Sequence, residues 1–164
     1  MAIKQFQLFH GAVLTQLVRN DRPLTLRMIE THPDDAWAVY TINDQVDLFI
    51  KHCASPRGLT RQRGASRWQF VFSPEQIAQL RALAAEREVH SALVCGRRDL
   101  KEGDMHVCLL NMKELVQLID LESASTQSIT VKYLPGKKLR VSAPHGQDLL
   151  ISQNALAQWE VPGS

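Results

Sequence analysis

Between Leu24 and Cys53 three strand-like stretches follow one another with only turn chemistry between them. In "LTLRMIE", Leu24, Leu26 and Met28 alternate with Thr25 and Arg27, the period of a half-buried strand. "THPDD" turns the chain, "AWAVYTI" is rich in β-forming residues, and "NDQ" turns it again. "VDLFIKHC" then sets Val46, Leu48 and Ile50 on one face and Asp47, Phe49 and Lys51 on the other. A fourth strand, "RWQFVF", follows a loop. A run of strands broken by single helices favours an α+β fold over a doubly wound parallel sheet.

The helices are marked by period and by caps. Residues 5–19 place Phe6, Phe9, Val13, Leu17 and Val18 at helical spacing, and the segment ending in Pro23 stops them. Ser73-Pro74-Glu75-Gln76 opens a second helix: serine caps, proline suits the first turn, and Gln76 is placed to complete a capping box. Its buried face carries Ile77, Leu80, Leu83 and Ala84. "VHSALVC" is nearly all apolar and reads as a strand covered on both faces, with "MHVCLL" pairing behind it. Asn111 caps a short helix with Leu115, Leu118 and Ile119 facing inward. After the polar linker "ESASTQS", "ITVKY" and "LRVS" form a hairpin around Pro135-Gly136.

The expected architecture is thus a mixed central β-sheet flanked by helices, in the order α-β-β-β-β-α-β-β-α, with a C-terminal β-hairpin. Residues 1–122 form the core domain, and residues 123–164 form a hairpin extension packed on it. At 164 residues, 45% of them hydrophobic, the chain can bury a substantial core. Cys53, Cys95 and Cys108 are odd in number and lack finger spacing, so they read as buried free thiols rather than a disulfide framework or zinc site. No apolar run reaches membrane-spanning length and no signal-peptide core opens the chain, so the expected location is cytoplasmic, with no membrane partner.

P-loop, GxGxxG, GxSxG and HExxH signatures are all absent. What remains is charge along the early strands. Pro33-Asp34 precedes a strand carrying Asp47 and Lys51. This element order, with a "PD" followed by an acid and a lysine on the next strand, resembles the PD-(D/E)XK superfamily of restriction-endonuclease-like proteins. The resemblance covers roughly residues 5–95. It implies a nucleic-acid-associated domain and a divalent-metal-dependent nuclease site, active or degenerate. Asp34, Asp47 and Lys51 would be its catalytic residues, and Glu30, Asp34 and Asp47 its ligands for Mg²⁺. The sequence departs from the family pattern in its D-x-x-x-K spacing, with Phe49 where the family has its acid. Asp47 and Lys51 share a face but lie about 13 Å apart along the strand. The alternative is that both are exposed strand residues in cross-strand charge pairs. His32 beside Glu30, Asp34 and Asp35 forms either a metal-binding cluster or a polar turn.

The loop after that strand carries Arg57, Arg61, Arg63 and Arg67, with no acid until Glu75. Guanidinium groups suit bidentate phosphate contact, so these four are the candidate nucleic-acid-binding residues. Arg97, Arg98, Lys101, Lys132, Lys137, Lys138 and Arg140 add further basic spots, which one surface gathers only if the fold brings them together. Two other readings stand beside this one: a non-catalytic domain that binds a protein partner or a second copy of itself, and a small-molecule sensor with a pocket lined by Trp37, Tyr40 and Trp68.

Overall fold

The computed structural model describes residues 2–18, 22–32, 36–57, 64–99, 101, 103–144 and 146–163. Its elements are α1 (Gln5–Leu17), β1 (Leu26–His32), β2 (Trp37–Ile42), β3 (Val46–Cys53), β4 (Ser66–Phe72), α2 (Pro74–Glu86) and β5 (Glu88–Cys95). Then follow β6 (His106–Asn111), α3 (Met112–Leu118), β7 (Gln127–Tyr133), β8 (Leu139–Ser142), β9 (Leu149–Ile151) and α4 (Ala155–Gln158). The protein is α+β, with a mixed five-stranded sheet ordered β1-β2-β3-β5-β6 and a second sheet ordered β4-β7-β8-β9.

Local chemistry sets the meander. Asn43 and Asp44 both have positive φ, and the Gln45 amide donates to the Ile42 carbonyl at 3.0 Å. That is a three-residue connection, Asn43 to Gln45, between the paired Ile42 and Val46. It fixes the register Thr41↔Asp47 and Trp37↔Lys51. β3 and β5 are parallel, and all other pairs in the sheet are antiparallel. The parallel step is made by β4 and α2, which leave the sheet and return. Ser73 Oγ accepts from the Gln76 amide at 3.2 Å, as its capping role requires. The Gln76 side chain does something the capping motif does not suggest: it is buried and its Oε1 accepts from Lys51 Nζ at 3.0 Å. Asn111 and Glu114 form the reciprocal capping box of α3.

Two cores result. One lies under α1 and α4 on the first sheet and holds Phe9, Val13, Leu17, Tyr40, Leu48, Ile50 and Val94. The other lies between the sheets and against α2 and α3, and holds Trp37, Phe49, Trp68, Phe70, Phe72, Leu80 and Val131. β2 and β3 are therefore covered on both faces. Trp37 and Tyr40 fall in different cores, and Trp37 and Trp68 are packing residues, so the sensor pocket expected from Trp37, Tyr40 and Trp68 does not form. The polar linker leads into the second sheet, where β4 from the first part of the chain pairs along its whole length with β7. β9 and α4, absent from the expected order, complete this sheet and cover the first.

Candidate nucleic-acid interface

The strand-borne charges of the nuclease-like expectation do not meet among the described residues. Asp47 is buried, and contrary to the cross-strand surface reading its carboxylate is engaged in the interior. Oδ1 accepts from Thr41 Oγ1 at 2.6 Å, and Oδ2 lies 3.7 Å from Arg87 Nε. Lys51 is buried at the far end of the same strand, where it donates to Gln76 and its ammonium stands 5.5 Å from the centre of the Phe72 ring. Glu30 is half-buried on β1, two strands away from β3. Asp34 and Asp35 lie outside the described residues, as does the side chain of His32. Among the described residues no three His, Cys, Asp or Glu side chains gather as a metal site would require.

The arginines fare differently. β4, β7 and β8 alternate between core and solvent. Their outward positions are Arg67, Gln69 and Val71 on β4, Ser128, Thr130 and Lys132 on β7, and Arg140 and Ser142 on β8. Register places Arg67 opposite Lys132, and Lys132 opposite Arg140. Three exposed cations thus form a row across the sheet at the strand spacing of about 4.8 Å. Arg57 joins them: its amide donates to the Arg67 carbonyl at 2.7 Å and its Nη1 to Gln69 Oε1 at 3.0 Å. The β7–β8 turn lies past the row and adds exposed Lys137 and Lys138. Gly64, at the close of the arginine-bearing loop, approaches Pro135 of this turn so nearly that a Cβ there would meet it at 2.9 Å. Two basic segments distant in sequence therefore adjoin. None of the outward strand residues in this face is acidic. Asp148 at the edge is 3.9 Å from Arg140, with both side chains more than half exposed, so the pair weakens the field only slightly. Arg61 and Arg63 lie outside the described residues.

Lys132 and Arg140 are legible in the sequence as exposed hairpin residues, but their alignment with Arg67 is a matter of strand pairing. Arg97, in contrast, is committed to structure. It donates to Ser66 Oγ at 2.6 Å and to the Asp104 carbonyl at 2.9 Å, and lies 5.4 Å from the Trp68 ring centre. Trp68 is fully buried and donates to the Gly96 carbonyl at 2.7 Å, so it offers no ring to a base. His106 stacks on Tyr133 at 4.1 Å; burial holds its pKa below the ordinary value, with Asp104 opposing and Arg97 reinforcing the effect. The thiols of Cys95 and Cys108 are pushed up by burial, which leaves them protonated and unreactive.

At the end of the outer face opposite the cations, Val71 and Ser128 open into a groove of about 1000 Å³. Its far wall is Val116 on α3 and the loop from Asp120 to Thr126. That loop is braced: Gln127 accepts from the Asp120 amide and donates to its carbonyl, and Arg81 donates to the Leu121 carbonyl. Comparison with protein-family models, curated proteins and solved structures finds no match for this chain.

Proposed function

We propose that this chain is a nucleic-acid-associated domain that holds a phosphate backbone on the outer face of its second sheet. The observation that carries the reading is the in-register row Arg67–Lys132–Arg140, joined by Arg57 and uninterrupted by acid. Like charges placed directly opposite on neighbouring strands repel, and a polyanion laid across them removes that repulsion while releasing its own counterions. Guanidinium forks at both ends of the row and an ammonium between them suit phosphate oxygens. No outward strand position of this face carries an aromatic ring, so phosphate rather than stacking would supply the affinity. Strand cleavage is not part of the reading, because Asp47 and Lys51 lie in the inter-sheet core, separated from the cations by the β4 layer of Trp68, Phe70 and Phe72.

The test is fluorescence anisotropy with a labelled oligonucleotide over a salt series. The wild-type protein is expected to bind with a steep salt dependence, and the triple variant Arg67→Ala, Lys132→Ala, Arg140→Ala to lose about two units of the log–log slope. Binding by the triple variant with unaltered affinity and slope would overturn the assignment.

A further inference from the structure

The outer face of the second sheet is graded along its strands. Arg67, Lys132 and Arg140 form the first row, Gln69, Thr130 and Ser142 the second, and Val71 and Ser128 the third. Successive rows are about 6.8 Å apart, so the third lies about 13 Å from the cations. There the surface stops being a sheet and becomes the groove under Val116. Val71 is 46% exposed and Val116 50%, and both open into this groove. Around them stand the hydroxyl-bearing Ser123, Ser125 and Ser128, with the acids Asp120 and Glu122 on the far wall. An acidic wall repels phosphate, whereas its carboxylates accept from the amino and imino donors on the edges of a nucleobase. The lining is mixed, with exposed valines set among hydroxyls, amides and carboxylates, and the bracing of the 120–127 segment holds these groups in place before any ligand arrives.

Resting on the proposed function, we infer that the groove is a base-binding subsite, and that the ligand of this face is a single-stranded nucleic acid. Its phosphates lie on the cationic row while one base, turned away from its neighbours, enters between Val71 and Val116. A base projects from its sugar away from the phosphate, in the direction in which the face changes from the cationic row to the neutral second row and then to exposed Val71 beside Ser128. A duplex keeps its bases paired and stacked inside, so it can use the row but not the groove. Single-strand binders commonly rely on aromatic platforms; here the open groove serves that purpose on a face whose outward strand positions carry no ring.

Three probes separate the terms: a mixed-sequence single strand, the same sequence as a duplex, and heparin, a polyanion without bases. The single strand is expected to bind about tenfold more tightly than the duplex, the equivalent of one engaged base. In NMR titrations the methyl signals of Val71 and Val116 are expected to shift with the single strand and stay put with heparin. Ser128→Leu, which narrows the groove from an outward strand position, is expected to weaken the single strand alone. Val116→Ala, on an exposed helix position, serves the same purpose should Ser128→Leu fail to fold. Duplex binding as tight as single-strand binding, or motionless Val71 and Val116 signals in a complex that does form, would overturn the subsite and leave the cationic row intact. Failure of all three polyanions to bind would remove the row itself and the subsite with it.

Discussion

A hydrogen bond between two imidazole rings needs one nitrogen without a proton. His10 Nε2 lies 3.0 Å from His52 Nδ1, joining α1 to β3, and both rings are buried. Burial pushes the pKa of each to about 4; the charge of His52 adds to the effect at His10, where the Ala36 carbonyl opposes it, and Lys51 adds to it at His52. The folded state therefore holds the pair neutral where the unfolded chain would protonate it. Stability from this pair is fully present above the unfolded value of about 6.5 and is lost as pH falls toward about 4. His90 and His106, whose pKa values are also lowered by burial, act in the same direction. Urea denaturation across that window is expected to show a falling midpoint, and a shallower fall in the double variant His10→Leu, His52→Leu. Identical pH profiles for the two proteins would count against this account. Read alone, the sequence places His10 beside an apolar stripe and His52 in a strand-like segment. Their contact spans 42 positions, and no local pattern signals it.

At the scale of elements, the cationic row is a deliberate mismatch within a sheet. Lys132 faces an arginine on either side, a cross-strand arrangement that costs a few tenths to about 1 kcal/mol per pair. Lys132→Glu would replace two repulsions by two attractions. It is expected to raise thermal stability modestly while lowering oligonucleotide affinity by about tenfold or more. A variant that was both less stable and undiminished in binding would show that the row neither strains the sheet nor holds a ligand. Alternation alone identifies Lys132 and Arg140 as solvent-facing, but which strand lies beside which depends on packing at long range. The same limit applies to Gln76. Its position after Ser73-Pro74 suits a helix cap, yet the buried ammonium of Lys51, on a strand that precedes α2 by more than twenty residues, takes its side chain instead. A charge in the interior needs its hydrogen bond more than a helix end near solvent does.

The division of the whole molecule into two sheets is written in the sequence as a contrast of patterns. "AWAVYTI" and "VHSALVC" are nearly continuous in apolar residues and become β2 and β5, buried on both faces. "RWQFVF" and "ITVKY" alternate and become β4 and β7, with one face in solvent. Strands of the second kind cannot sit between helices and sheet without burying Arg67 and Lys132, so they form a layer of their own. The early strands, read as one run, conceal that change of layer at Ser66. The layers are joined at Gly96, just past β5. Its amide donates to the Cys53 carbonyl at 2.8 Å, its carbonyl accepts from Trp68 of the second sheet, and a Cβ on it would stand 2.7 Å from the Phe9 ring of α1. A side chain there must displace either the Phe9 ring or the Cys53 carbonyl oxygen, 2.8 Å from the Cβ, and that oxygen is a backbone atom already accepting from the Gly96 amide. Gly96→Ala is therefore expected to cost about 1–3 kcal/mol, seen as a lower urea midpoint, while leaving oligonucleotide affinity of the folded protein unchanged because the cationic row lies on the outer side of β4. A midpoint equal to wild type would mean that helix, first sheet and second sheet are not packed against one another at this glycine.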